Sequence, residues 1–325
     1  MKIVLIYRNR VEGANSIEEL FDTLAEELKK KFTVIKYQMG ALANLPRDIL
    51  YLRKLNPDIY HITGDVHYVA CFLPKRKTML TIHDIHYYNY TMRGLKKLIY
   101  KWLYLTLPLR SISCLSTISA ATKQVLDQQF NVRIPIHVIN NCYNKTLFVA
   151  KAKEFNSVEP VILHLGTKAN KNLPNLIAAL KGLQCRLVII GRLNEEQLKL
   201  LADSQINYTN QLNLTLLEIY NNYVQADLVA FASLSEGFGL PIIEAQAVGR
   251  PVITSNFAPM CDVAGNAACL IDPHSVDDIR AGIVKIILDE KYREQLIERG
   301  FENVQRYSPH STAKHYAELY LGMLE

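Results

Sequence analysis

A chain of 325 residues exceeds one ordinary core and fits two domains of roughly 150 residues each. With 49% hydrophobic and 21% charged residues it lacks the depletion of a disordered chain, and no stretch offers the ~18 unbroken apolar residues of a membrane span. The net charge of +6 is uneven: residues 1 to 150 hold 21 Lys+Arg against 11 Asp+Glu, and residues 151 to 325 hold 16 against 20.

That excess implies a polyanionic neighbour for the first half, namely membrane phosphates, an anionic substrate or nucleic acid, with a dispersed solvated surface as the plain alternative. No recognised nucleic-acid module accompanies it, so nucleic acid is not expected as a partner. None of the six cysteines forms a Cys-x-x-Cys pair, so no zinc or redox site is expected and a reducing cytoplasm is the simplest setting. The opening MKIVLIYRNRVEG has too short an apolar run for a signal-peptide core.

In chain order, KIVLIY (2 to 7) reads as the first strand. A capping box follows, Ser16 with Glu19, continued by Leu20, Phe21, Leu24 and Leu28 at helical spacing. Strand-length apolar runs recur at 32 to 37, 59 to 63, 78 to 83, 114 to 119 and 136 to 140. Residues 93 to 110, RGLKKLIYKWLYLTLPLR, mix five cations with Trp102, two tyrosines and leucines. They suit either a helix packing its leucines on the sheet with lysines outside, or a membrane surface, and the two are compatible. The second half repeats the alternation with strands at 160 to 166, 185 to 191, 227 to 233, 251 to 255 and 268 to 272, separated by helical patterns. The expectation is an α/β protein of two doubly wound Rossmann-like domains facing each other, 1 to 150 and 151 to 310, joined within 145 to 160. Residues 311 to 325 form a terminal helix with Tyr316, Leu319, Tyr320 and Met323 on one side.

The segment SLSEGFGLPIIEAQAVGRPV (233 to 252) carries the densest chemistry. Pro241 suits the first turn of a helix, and Gly237 and Gly239 let backbone approach a ligand at that helix start. Free amides there favour an anion, so residues 237 to 240 read as a phosphate cradle. Glu244, one turn in, can accept both hydroxyls of a vicinal diol such as a ribose, or act as a partner for the helix dipole. Glu236 would meet whatever lies beyond the phosphate. In HLGTKANKNLPNLIAAL, a strand ends at Gly166, and Lys171 with Asn172 precedes a helix, so a cation stands where a diphosphate could be met. His83 ends a strand, followed directly by Asp84; His61, His67 and His86 fit hydrogen-bonded structural roles better. Ser119 precedes a helix, where an N-cap is its default role.

Here SEGFGLPIIEA, followed by GRPVITSN and AGNAACLIDP, resembles the donor-nucleotide half of retaining glycosyltransferases of the two-domain GT-B fold, family 4. The resemblance implies two Rossmann-like domains across a cleft. It places Glu236 beside the donor sugar and Glu244 on the nucleotide ribose. The donor side would comprise Gly237, Phe238, Gly239, Leu240 and Gly166, with Lys171 on the diphosphate. Thr167 stands where an arginine is usual, so Lys168 or Arg192 would supply the second cation. His83, like the family's strand-end histidine, would position the transferred sugar, with Asp84, Ser119 and the single Gly13 on the acceptor or sugar side.

The implied reaction moves a sugar from a nucleoside diphosphate sugar to a glycan or lipid-linked acceptor with retention, as in bacterial cell-surface polysaccharide synthesis. No Asp-x-Asp occurs, and the expectation is metal independence, with no cofactor beyond the nucleotide-sugar co-substrate. A cytoplasmic location at the inner face of the plasma membrane, with peripheral contact to anionic lipid, follows from the same resemblance and the basic first half. Competing readings are a nicotinamide oxidoreductase, disfavoured because Gly-x-Gly-x-x-Gly is absent, a GT-B nucleotide-sugar epimerase, and a degenerate nucleotide-binding subunit.

Overall fold

The computed structural model describes residues 1–9, 16–85, 88–89, 92–145 and 148–325. They divide into two units, Met1–Cys142 with Pro309–Glu325, and Tyr143–Ser308.

In the first unit, strands β1 (Lys2–Tyr7), β2 (Thr33–Gln38), β3 (Ile59–Ile62), β4 (Thr78–Ile82), β5 (Cys114–Thr117) and β6 (Ile136–Val138) form one sheet in the order β2-β1-β3-β4-β5-β6. All pairings are parallel, as helical crossovers require. Strands β1, β3, β4 and β5 read as continuous apolar runs because both of their faces are covered, whereas the edge strands β2 and β6 are partly exposed. Val4 and Ile6 enter one core with Leu52, Leu80 and Leu115, while Ile3 and Leu5 enter another with Phe21 and Leu24. The crossing helices are α1 (Ser16–Leu28), α2 (Leu45–Leu55), α3 (Gly94–Tyr100), α4 (Leu107–Arg110) and α5 (Ala120–Gln129), with a π-helical stretch Lys101–Thr106 joining α3 to α4.

The second unit alternates β7 (Val161–Leu165), α6 (Leu173–Leu180), β8 (Arg186–Ile190), α7 (Glu195–Ser204), β9 (Asn207–Gln211), α8 (Leu216–Gln225) and β10 (Leu228–Phe231). It continues through α9 (Leu240–Val248), β11 (Val252–Ser255), α10 (Met260–Ala264), β12 (Cys269–Ile271), α11 (Val276–Leu288) and α12 (Glu290–Val304). Its parallel sheet runs β12-β11-β10-β7-β8-β9, so strand order reverses between β7 and β10. In doubly wound sheets such a reversal opens a crevice at the carboxyl ends of the two strands. Strand β9, NYTNQ, is absent from the apolar runs above. It is an edge strand, half exposed, and is held by pairing with β8 rather than by burial.

This unit starts at Tyr143, ahead of the joint the sequence suggests, because Phe148 is buried edge-on against Tyr220 and Tyr223. Helix α13 (Pro309–Gly322) belongs to the first unit. It packs along α1, with Tyr316 and Tyr320 buried beside Phe21. Among the described residues no helix is long and apolar enough to cross a membrane.

Candidate active site

The loops after β7 and β10 meet at the reversal in the second sheet, and backbone conformation decides what they present. Gly166 ends β7 with φ +90, and a Cβ there would lie 2.9 Å from Lys171 Cγ. The lysine side chain therefore lies over the glycine, and its Nζ sits 4.8 Å from the centre of the Phe231 ring. Asn172 turns the chain into α6 through left-handed backbone, and its side chain donates to the carbonyls of Ala232 (3.0 Å) and Pro273 (2.7 Å). Leu234 N donates to Asn170 O at 2.7 Å, which closes the two loops together.

Glu236 and Lys171 meet directly: Nζ donates to Oε1 at 2.7 Å, and Asn170 Nδ2 lies 3.3 Å from the same oxygen. Both side chains are mostly shielded, 20% exposed for the lysine and 13% for the glutamate. Gly239, φ +126, caps α9, and a Cβ there would meet Ile242 Cδ1 at 3.0 Å. Helix α9 follows with Pro241, which has no amide hydrogen, in its first turn, and Ile242 N donates to the Gly239 carbonyl at 3.0 Å. Phe238 is buried edge-on against Tyr307, so what it can give a ligand is its backbone amide. One turn into α9, Glu244 Oε2 accepts a 2.6 Å hydrogen bond from the Tyr223 hydroxyl of α8.

Thr167, where the resemblance leads one to expect an arginine, donates its hydroxyl to the Arg192 carbonyl, and its own carbonyl accepts from Gln197 Nε2 at 2.8 Å. This stitches the loop after β7 to the loop after β8 and sets Arg192 beside Thr167; Arg192 and Lys168 are both exposed. His164, inside β7, is held by burial at a pKa of about 4, and its Nδ1 donates to the Ala230 carbonyl at 3.1 Å.

In the first unit, His83 at the end of β4 is buried, which lowers its pKa, and Nε2 donates to the Thr63 carbonyl at 2.8 Å. A hydroxyl meeting this ring must therefore donate to Nδ1. Asp84 beside it is exposed. Ser119 is the N-cap of α5, accepting from Thr122 N at 3.1 Å. His67 donates from Nδ1 to the Tyr104 carbonyl, and His61 is bonded by Tyr320 and Thr81. Gly13, Arg10 and His86 lie outside the described residues. Arg8, at the end of β1, is held by Glu18 at 2.8 Å and Asp65 at 2.6 Å.

Sequence reasoning missed three contributors. Tyr223 occupies a helical core position and gave no sign of reaching Glu244. Asn170 lay inside the KANKN run without a role, and the Glu18–Arg8–Asp65 cluster joins residues 57 positions apart. Among the described residues, no group of three or more His, Cys, Asp or Glu side chains is gathered as metal ligands would be.

Two doubly wound parallel sheets, the second with glycine loops and a lysine–glutamate pair at its reversal, define the GT-B class of two-domain proteins. Residues 148–303 match the family "Glycosyl transferases group 1" and residues 15–146 match "Glycosyltransferase Family 4". The chain belongs to the family 4 glycosyltransferases of the GT-B fold.

Among its relatives, an O-antigen chain mannosyltransferase of Salmonella typhimurium is 26% identical over 222 residues, 65% of this chain and 61% of that one. O-antigen chain mannosyltransferase B of Escherichia coli is 38% identical over 86 residues, 26% of this chain and 23% of that one. The chain thus spans less than two thirds of the length of these curated relatives. Among solved structures, Anabaena HepE in complex with UDP and glucose superposes with TM-score 0.80 at 15% identity, covering 99% of this chain and 100% of that one. Sucrose-phosphate synthase from Thermosynechococcus elongatus gives 0.78 at 18% identity, covering 100% and 99%. These likenesses establish the fold.

Proposed function

We propose that the chain transfers a sugar from a nucleoside diphosphate sugar to a glycan or lipid-linked acceptor with retention of anomeric configuration, in bacterial cell-surface polysaccharide assembly. The observation that carries this reading is the 2.7 Å contact of Lys171 with Glu236 at the β7/β10 reversal. It places one cation and one carboxylate within a hydrogen bond of each other close to the N-terminus of α9, an end of a helix that favours an anion. Charge building on the departing diphosphate would be met by Lys171 and the amides of residues 237 to 240, with Arg192 or Lys168 as the second cation. Glu244 would hold the ribose, and Glu236 the sugar. In retention without a covalent intermediate, the acceptor hydroxyl attacks the face the diphosphate leaves, and a diphosphate oxygen takes its proton. No divalent ion or other cofactor enters this scheme.

His83, Asp84 and Ser119 stand at strand ends of the first unit and would face the transferred sugar or the acceptor. The relatives that are mannosyltransferases of O-antigen chains and the UDP complex of HepE set the donor panel: guanosine and uridine diphosphate sugars, GDP-mannose included. The test is turnover of that panel with and without EDTA, in the wild type and in Lys171→Ala and Glu236→Ala. Turnover that survives EDTA and is lost in both variants supports the reading. Donor bound by all three proteins but consumed by none supports the degenerate-subunit alternative, and an epimer formed from donor alone supports the epimerase.

A second observation favours peripheral contact with an anionic membrane. Leu95, Leu98, Ile99, Trp102 and Leu103 recur at helical spacing from α3 into the π-helical stretch and are 71%, 52%, 49%, 46% and 48% exposed. The leucines on this face point to solvent, and Leu105 and Leu109 are the ones that pack inward. No acidic residue occurs between Asp84 and Asp127, while Arg93, Lys96, Lys97, Lys101 and Arg110 flank the apolar stripe. Apolar side chains entering the headgroup boundary with cations beside anionic lipid are the two terms of interfacial binding. Co-sedimentation with phosphatidylglycerol-containing vesicles, absent with pure phosphatidylcholine and lost in Leu98→Asp, is the expected result; equal behaviour on both vesicles removes the membrane contact.

A further inference from the structure

We propose that Tyr223 is a positioning residue for Glu244, holding its carboxylate ready for a ribose diol, a role that stands on Glu244 meeting the ribose as set out above. Tyr223 is fully buried, and its hydroxyl donates to Glu244 Oε2 at 2.6 Å. A phenol–carboxylate bond of that length in a poorly solvated place is a strong, charge-assisted one. The lever behind the hydroxyl is itself fixed. Phe148 packs edge-on against the ring, with centroids 5.6 Å apart and planes at 77°. The backbone is clamped by the buried Arg250, whose Nε donates to the Tyr223 carbonyl at 3.2 Å and Nη2 to the Val224 carbonyl at 2.9 Å. The same guanidinium bonds the carbonyls of Lys151 and Gly249, tying the end of α8 to the turn after α9. Glu244 and the tyrosine that meets it are thus held by one rigid frame.

The consequence is chemical. A carboxylate has about four lone-pair directions, of which the phenol takes one; two hydroxyls on neighbouring carbons need two others at a fixed angle. A glutamate with three rotatable bonds that is not held must be ordered anew at each binding event, at an entropic cost. Burial and the neighbouring Glu244 charge raise the Tyr223 pKa far above its ordinary value, so the phenol remains a donor wherever the protein is folded. Tyr223 touches neither the diphosphate nor the reacting carbon in this scheme; it acts through Glu244.

Calorimetry of the full chain with UDP, GDP and their 2′,3′-dideoxy analogues tests the role. The wild type is expected to prefer the ribose form, and Tyr223→Phe, which removes one oxygen and keeps the ring, to lower that preference about tenfold. Dideoxy binding and the thermal midpoint should stay close to wild type. Phe148→Leu, which keeps the hydroxyl and loosens the ring, should give a smaller drop. A purely structural tyrosine would weaken both nucleotide forms alike; an unchanged ratio in both variants overturns the proposal. Glu244→Gln separates the two levels. If it abolishes the preference while Tyr223→Phe keeps it, only the tyrosine's role fails. If the preference survives Glu244→Gln, or the wild type shows none, the ribose reading fails and takes the tyrosine's role with it.

Discussion

Lys171 and Glu236 neutralise each other across 2.7 Å, so their removal cannot have equal effects. Under the proposed function, deleting the lysine takes away the cation assigned to the diphosphate and leaves a shielded carboxylate where that anion would arrive. Deleting the carboxylate leaves the cation available. Lys171→Met should therefore weaken binding of the bare nucleoside diphosphate by about 10- to 100-fold, as loss of a charge-assisted contact does. Glu236→Gln should bind it at least as tightly as the wild type, while turnover of the whole donor falls by about 10²-fold or more. Calorimetry for the first and product formation for the second check the pair; equal weakening of nucleoside diphosphate binding by both substitutions would contradict it. Gly166 argues the same point sterically. Its backbone, at φ +90, is costly for any side chain, and a methyl would push Lys171 from 2.9 Å away. Gly166→Ala is expected to mimic much of the Lys171→Met binding defect while Glu244→Gln, on a different element, retains diphosphate affinity and loses ribose discrimination.

Elements carry a different kind of prediction, since helix α13 is joined to the first sheet by polar as well as apolar contacts. His61 Nδ1 and the Tyr320 hydroxyl are 2.6 Å apart, Nε2 and Thr81 Oγ1 2.7 Å, and Thr81 continues to Ser116 at 2.7 Å. Burial holds the His61 pKa near about 3 against an ordinary 6.5, the nearby His83 adding to the depression. The unfolded imidazole takes up its proton near 6.5 and the folded one only near 3. Between those values the unfolded chain binds the extra proton, and stability falls as pH is lowered. The slope from this one group is about 1.4 kcal/mol per pH unit. Denaturant melts across that window should show His61→Gln losing about that much of the acid dependence of the first unit. An undiminished slope would mean that His61 is not the group responsible.

Much of this architecture was legible because a strand buried on both faces must be written in apolar residues, as the central strands of both sheets are, and the edge strands β2, β6 and β12 still carry enough apolar residues to stand out. Strand β9 did not, since an edge strand of Asn, Thr and Gln is specified by its neighbour's hydrogen bonds and not by its own burial. At the site, Gly166 and Gly239 were readable because they answer local backbone demands, both standing at positive φ, whereas Glu236 and Glu244 drew their roles from the family resemblance. The Tyr223–Glu244 bond was not, since it joins two helices whose meeting is settled by tertiary packing alone. The 93 to 110 segment shows the same limit from the other side: its period gave a helix, but only coordinates reveal that its apolar stripe faces outward.

At the scale of the whole molecule, the chain closes its first unit last. Residues 1 to 142 lack the helix that covers Phe21, Leu24 and the His61 network until residues 309 to 325 return, whereas 143 to 308 contain both faces of their own sheet. Truncation after Ser308 removes Tyr316 and Tyr320, both buried, together with the hydrogen bonds of Tyr320 to His61 and of Thr312 to Asn140. Burial of two aromatic side chains is worth about 3 to 6 kcal/mol, a large part of what holds a domain of this size folded. The truncated chain should therefore lose or sharply lower the melting transition of its first unit, while the second melts where it did before. The loops proposed to bind the donor lie wholly within 143 to 308, so on that proposal the same truncated protein should still bind a nucleoside diphosphate and fail in transfer. Calorimetric scanning with and without nucleotide reads both outcomes at once, because a ligand raises only the transition of the unit that binds it. Loss of the nucleotide-responsive transition on truncation would show that the second unit does not stand by itself.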